Sequence, residues 1–438
     1  MQTTARNIAK ERSGLLPKRI IPCASPQMTR PEEPKRRILF FAEAVTLAHV
    51  ARPLALAGAL DATRYRLGFA CDSRYDMFLP PASFERFPVH SVSSHQFIEA
   101  LARGRPVYDA SALRQYVKDD LAVIERFGPE LIVGDFRLSL AVSARLARIP
   151  YAAIANVYWS PIAIQAFPIP EHALVRLFGL KLAQRLFDGV RPAIFASHTF
   201  PLNKILKEFG LPTLGFDLRR TYTEADHLLY ADVPGFIETR TLPVHHHYLG
   251  PVLWSPQAAK PAWWDQLPDD KPIVYLTPGS SGETGSLPGI IRGLSRLPIN
   301  LLVATAGRFE MGGLPGNVFL SDYLPGEDAA RRAQLVVCNG GSPATQQALA
   351  AGAPVLGICT NLDQHLNMQA VQAHGAGRLL RAGFASPGAV AEAVDDMLRD
   401  PVYKQQAMRL GSLYRQYNAQ DRFAAWVENL FKMNRDGT

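Results

Sequence analysis

Residues 334–374 read QLVVCNGGSPATQQALAAGAPVLGICTNLDQHLNMQAVQAH. A short apolar run, Gln334–Cys338, breaks into a glycine loop, and Thr345–Ala351 then reads as helix. A second run, Pro354–Cys359, is followed by a helical stretch from Asp363 to His374. Strands that are apolar throughout and alternate with helices imply a parallel sheet with both faces covered.

The same texture extends in both directions. Upstream lie the strands Ile273–Leu276, Asn300–Thr305 and Val318–Leu320, with a helix ending near Leu297. Nearer the start are the strand Arg37–Phe41, the helix His49–Leu60 (with Pro53 expected in its first turn), the strand Tyr65–Cys71, the helix Asp109–Arg126 and the strand Leu131–Asp135. Between the two series, residues 251–271 are proline-rich and polar, with Trp254, Trp263 and Trp264 as surface anchors of a linker. At 438 residues the chain exceeds what one core usually organises. The expected architecture is α/β, with two Rossmann-like doubly wound domains, 36–250 and 272–411, and an amphipathic segment over 412–438. Long uncharged stretches at 149–170 and 334–362 carry too many prolines or glycines to cross a membrane as helices.

Net charge is +8, but residues 1–37 carry +6 of it, leaving +2 for the rest. That placement argues against a nucleic-acid partner. Residues 1–35 read as a disordered basic extension, broken by Pro17, Pro22, Pro26, Pro31 and Pro34, with Met28 a candidate start. Peripheral contact with a membrane surface is the alternative use of its charge. Cys23, Cys71, Cys338 and Cys359 show no CxxC spacing, which fits a cytoplasmic protein without a metal cluster. His245-His246-His247 alternate sides on an extended segment and do not read as a metal site.

Ligands of doubly wound sheets sit beyond the carboxyl ends of strands, which singles out the loops 42–49, 277–287 and 338–345. No GxGxxG follows the first strand and no GxxxxGK[ST] occurs, so dinucleotide binding and P-loop phosphoryl transfer are disfavoured.

The stretch Ser321-Asp322-Tyr323-Leu324-Pro325, the run from Val337 to Val355, and Asp363-Gln364 with Asn367 together resemble the donor signature of GT-B glycosyltransferases that use UDP- or dTDP-sugars on small molecules. Tyr248-Leu249-Gly250-Pro251 and Tyr275-Leu276-Thr277-Pro278-Gly279-Ser280 extend the resemblance over nearly all of the chain after residue 36. It implies a GT-B fold, with a last helix returning to the N-terminal domain. It also implies an inverting transfer without metal or cofactor, a nucleotide sugar and a small acceptor as partners, and a donor site. In that site Gly279, Ser280, Gly340, Gly341, Ser342 and Thr345 offer donors to the diphosphate, Tyr323 lies against the base, and Asp363 and Gln364 hold the sugar hydroxyls. The loop departs from the family at Asn339, where a histidine is usual, at Pro343 and Ala344, and at Gln347, where a glutamate usually takes the ribose hydroxyls; Asn339 and Gln347 can still hydrogen-bond and stay among the expected donor-binding residues.

Leu47-Ala48-His49-Val50-Ala51-Arg52-Pro53 resembles the family's histidine segment, which implies His49 as general base, with Asp135 as the carboxylate that orients it. Glu43, in the same loop, is the alternative base. Tyr158 and Trp159, with Ile162, Ile164 and Phe167, read either as an acceptor wall or as ordinary packing. Two rival functions share the fold: a nucleotide-sugar epimerase, and a catalytically silent nucleotide-sugar-binding protein.

Overall fold

A computed structural model describes residues 34–80, 83–256, 258–279, 285–307 and 312–436; most of the basic extension, and Ser280, lie outside the described residues. The first sheet has seven strands: β1 (Arg36–Ala42), β2 (Tyr65–Cys71), β3 (Glu85–Pro88), β4 (Leu131–Asp135), β5 (Tyr151–Ala155), β6 (His227–Tyr230) and β7 (His246–Tyr248), in the order β3-β2-β1-β4-β5-β6-β7. The second has six: β8 (Ile273–Thr277), β9 (Asn300–Ala304), β10 (Val318–Ser321), β11 (Leu335–Cys338), β12 (Val355–Cys359) and β13 (Gly377–Arg381), in the order β10-β9-β8-β11-β12-β13. Every named strand pair is parallel.

Strand order reverses between β1 and β4 in one sheet and between β8 and β11 in the other. Crevices open at such reversals, beyond the carboxyl ends of the strands. Register brings Ala42 beside Asp135 at the first reversal and Thr277 beside Cys338 at the second. Gly134 belongs to this close fit, because a Cβ there would lie 2.4 Å from the Leu140 side chain. The helix that follows β4 thereby packs tightly against the strand whose last residue is Asp135.

Several elements differ from the sequence reading, each for a local reason. The helix over Ala48–Ala57 starts one residue before His49 and carries Pro53 in its second turn. Pro53 has no N–H to give the carbonyl of His49, four residues earlier. The strands β3, β6, β7 and β13 carry charged residues or histidines that hide them in the sequence, and β5 lies inside the long uncharged stretch 149–170. The triple histidine forms much of the edge strand β7, and the Tyr230 hydroxyl lies 2.7 Å from His246 Nδ1. Burial pushes His246 down to about 4. Among the described residues no group of three or more His, Cys, Asp or Glu is placed to hold a metal ion, and no helix is long and apolar enough to cross a membrane.

The segment expected over 412–438 takes in the end of one helix, Pro401–Arg415, and a second, Ala419–Asp436. Asn418 caps the second by accepting from the N–H groups of Gln420 and Asp421. The break fits against Gly250, where a Cβ would lie 2.6 Å from Tyr417. The last helix lies on the first sheet: Phe423 and Val427 are fully buried, and the Phe423 ring centroid is 6.0 Å from that of Phe40.

Candidate active site

The helix Ala48–Ala57 begins beyond the carboxyl end of β1 and carries His49 and Arg52 one turn apart, on one face. His49 Nδ1 lies 2.7 Å from Asp135 Oδ1. Arg52 donates from Nε to Asp135 Oδ2 at 2.7 Å and from Nη2 to Oδ1 at 2.8 Å. Arg52 Nη2 is also 3.1 Å from His49 Nδ1. A guanidinium only donates and a carboxylate only accepts, so the short contact to Asp135 assigns the proton to Nδ1. Nε2 is then the atom with a free lone pair, as a base requires.

The alternative base fails on access. Glu43 is fully buried, paired with Arg137 at 2.9 Å and accepting from the Tyr116 hydroxyl at 3.2 Å. Burial pushes its carboxyl up, and it belongs to an internal Glu43–Arg137–Asp120 cluster.

A polar seam runs from this pair to the glycine loop of the other sheet. Arg52 Nη1 donates to Asn156 Oδ1 at 2.8 Å, and Ser342 Oγ donates to the same oxygen at 3.2 Å. Asn156 follows β5, and Ser342 opens the helix Ser342–Ala350 beyond β11. Asp232, beyond β6, accepts from Val157 N–H at 2.7 Å and from Asn156 Nδ2. Gln346 Nε2 donates to the Ala231 carbonyl at 2.6 Å. The loops beyond the carboxyl ends of the two sheets therefore meet. Burial pushes the Asp232 carboxyl up to about 6, against hydrogen bonds that pull it down.

The donor-side residues divide. Asp363 Oδ1 accepts from Trp159 Nε1 at 2.8 Å, so the tryptophan expected at the acceptor and the aspartate expected at the sugar are in direct contact. Gln364 Oε1 accepts from the N–H groups of Thr360 and Asn361, the latter as part of a capping box, and the side chain is buried. Tyr323 is 36% exposed, its ring 6.0 Å edge-on from Phe78 of the first sheet's half.

Gly340 has φ +80, and a Cβ there would lie 2.6 Å from Cys359 Sγ, so only glycine fits. The expected donors of this loop are largely engaged internally. Gly341 N–H donates to Asn339 Oδ1 at 3.1 Å, and Gly340 N–H to Cys338 Sγ. Thr345 is 1% exposed, and its hydroxyl donates to the Ser342 carbonyl and accepts from Asn367 Nδ2. Gly279 sits against Asn339, 3.3 Å from a Cβ built on it to Nδ2. Gln347 turns toward the linker, donating to the Trp254 carbonyl and to Ser255 Oγ, and so does not project as a ribose ligand. Tyr158 has no exposed surface, so it backs Trp159 rather than lining a wall.

Sequence reasoning passed over Arg52, Asn156, Asp232 and Phe136. Arg52 had a signal, its three-residue spacing from His49. Phe136 had none: it takes a left-handed conformation (φ +56), which costs a bulky residue energy and marks functional sites. Its ring stacks on His49 at 4.8 Å and 15°, and Tyr222 then links Phe136 (5.3 Å) to Trp159 (5.0 Å). A continuous aromatic row thus joins the imidazole to the tryptophan that holds Asp363.

Residues 305–415 match the family described as "Erythromycin biosynthesis protein CIII-like, C-terminal domain". Over 401 residues the chain is 50% identical to a Mycobacterium bovis protein named "PGL/p-HBAD biosynthesis rhamnosyltransferase", covering 91% of this chain and 88% of that one. Over 393 residues it is 48% identical to a Mycobacterium tuberculosis "PGL/p-HBAD biosynthesis glycosyltransferase", covering 90% of this chain and 91% of that one. The fold matches a Streptomyces sp. SF2575 glycosyltransferase, SsfS6, solved in complex with thymidine diphosphate. The TM-score is 0.62 at 18% identity, over 90% of this chain and 99% of that one.

Proposed function

Because the chain belongs to the family of PGL/p-HBAD biosynthesis glycosyltransferases and has the GT-B fold, we propose that it is an inverting, metal-independent transferase with His49 as its general base. The donor in this reading is a UDP- or dTDP-sugar, and the first relative's name makes a rhamnosyl donor the first to try. The acceptor is a hydroxyl of a small lipophilic or aromatic molecule, a class that suits the row Phe136–Tyr222–Trp159.

The observation that carries the reading is the His49–Asp135 contact, tied through Arg52 and Asn156 to Ser342 of the donor loop. His49 Nε2 takes the acceptor proton as that oxygen bonds to the anomeric carbon. The bond from that carbon to the diphosphate oxygen breaks, and the nucleoside diphosphate leaves toward the glycine loop. Asp135 steadies the Nδ1–H of the resulting imidazolium. Arg52 acts through Asp135 and is a positioning residue.

The test is release of nucleoside diphosphate across a panel of donors and acceptors, with and without EDTA. Acceptor-dependent release that EDTA leaves unchanged supports the proposal; EDTA-sensitive turnover contradicts the metal-free part. A silent binding protein is the second reading, favoured by the departures from the family's loop at Asn339, Pro343, Ala344 and Gln347. It predicts donor binding without release. Conversion of the donor sugar without an acceptor would indicate an epimerase.

A further inference from the structure

The helix Ala173–Glu208 follows the segment that carries Trp159 and is interrupted at Gly179 (φ 72). Over residues 173–191 its buried side is narrow: Val175, Ala183 and Phe187. Six large apolar side chains lie in the open instead, Leu177 (73% exposed), Phe178, Leu180, Leu182, Leu186 and Val190. Leu182, Leu186 and Val190 recur every fourth residue, which places them in one stripe along the helix. Lys181 and Arg185 recur at the same interval beside it. Contiguous apolar surface of this kind is rare on a protein with nothing to bind there.

The charges identify the occupant. Residues 173–191 carry Arg176, Lys181, Arg185 and Arg191 against the single acid Asp188. Arg191 is engaged, its guanidinium 4.9 Å from the Phe167 ring centroid and 3.9 Å from Asp188. Arg176, Lys181 and Arg185 are exposed, and among the described residues no carboxylate forms an ion pair with any of them. A second copy of the chain is a poor cover, because a twofold contact would set these cations against themselves. Exposed leucines and phenylalanine beside unpaired cations match the requirements of an anionic lipid surface, where the apolar side chains enter the headgroup boundary and the cations meet phosphate.

We propose that the exposed side of the segment 176–190 docks the protein on the surface of an anionic bilayer. The contact is peripheral and reversible, and it is independent of the basic N-terminal extension.

The test is sedimentation of the full chain with phosphatidylcholine vesicles and with mixed phosphatidylcholine–phosphatidylglycerol vesicles. The wild type is expected to bind the mixed vesicles, to bind phosphatidylcholine alone far less, and to be released by salt. Leu182→Glu with Leu186→Glu, and separately Lys181→Glu with Arg185→Glu, should each lower partitioning about tenfold or more. Each variant retains the N-terminal extension, and melting temperature and circular dichroism check that it folds. Undiminished binding of both folded variants overturns the proposal, because the extension or another face would then carry the contact. So does a wild-type dimer that Leu182→Glu with Leu186→Glu dissolves while the vesicle-bound fraction is unchanged. Should the leucine variant fold poorly, the charge-reversal pair decides alone, since it leaves the apolar stripe intact.

Discussion

Arg52 lies side-on against Asp135, Nε 2.7 Å from one carboxylate oxygen and Nη2 2.8 Å from the other, and the second oxygen is the one His49 contacts. Asp135 is therefore fixed before any ligand arrives, because a bidentate guanidinium leaves a carboxylate little freedom to rotate. The same guanidinium reaches Asn156, which also accepts from Ser342.

Arg52→Lys keeps the charge but cannot reproduce the fork or reach Asp135 and Asn156 together. Turnover should fall roughly 10–100-fold, while donor affinity by calorimetry changes little. A fall in donor affinity equal to the fall in turnover would show that Arg52 holds the two halves together rather than the base.

The contact from Trp159 Nε1 to Asp363 Oδ1 makes a second expectation. Asp363→Ala should weaken the sugar nucleotide by roughly 1.5–3 kcal/mol, as for a lost hydrogen bond to a charged group, and leave the free nucleoside diphosphate almost unaffected. Trp159→Phe should cost about 1 kcal/mol, and the two losses should not add, since they act on one group. Additive losses in calorimetry would mean that Trp159 and Asp363 contact the ligand separately.

Asp232 gives a pH dependence with a defined sign. Its folded carboxyl is pushed up to about 6, above the ordinary value of 3.8. Between those values the folded state keeps a proton that the unfolded chain has lost. The stabilising contribution is thus complete at the acid end of the window and is lost as pH rises through about 6. At about 1.4 kcal/mol per pH unit, the swing is roughly 3 kcal/mol. Melting temperatures of wild type and Asp232→Asn from pH 4 to pH 8 should show the variant gaining on wild type up to about 6 and holding level beyond. A difference that does not change with pH would contradict the assignment.

Much of the fold was legible because β1, β4, β8, β11 and β12 are buried apolar runs, and burial on both faces leaves that mark in composition. The edge strand His246–Tyr248 lacks it, being only partly buried and rich in imidazole. His49, Asp135 and Asp363 were readable from motif and resemblance. The contacts Arg52–Asn156, Asn156–Ser342 and Trp159–Asp363 were not, because they join residues far apart in sequence. Phe136 shows a different limit: nothing in the residue type announces a left-handed backbone, which the tight turn after Asp135 imposes. Thr345 shows a third: a hydroxyl in the glycine loop reads as a ligand until its partners, the Ser342 carbonyl and Asn367, are in place.

The proposed transfer depends most on His49 as the base, with Asp135, 2.7 Å away, orienting it. The most direct measurement is single-turnover transfer by His49→Ala, with donor affinity measured on the same preparation. The rate should be lower by roughly 10²–10⁴ with donor affinity nearly unchanged. Asp135→Asn should share much of that loss, and the double variant should be little worse than His49→Ala alone. Transfer by His49→Ala at close to the wild-type rate would show that another group takes the acceptor proton.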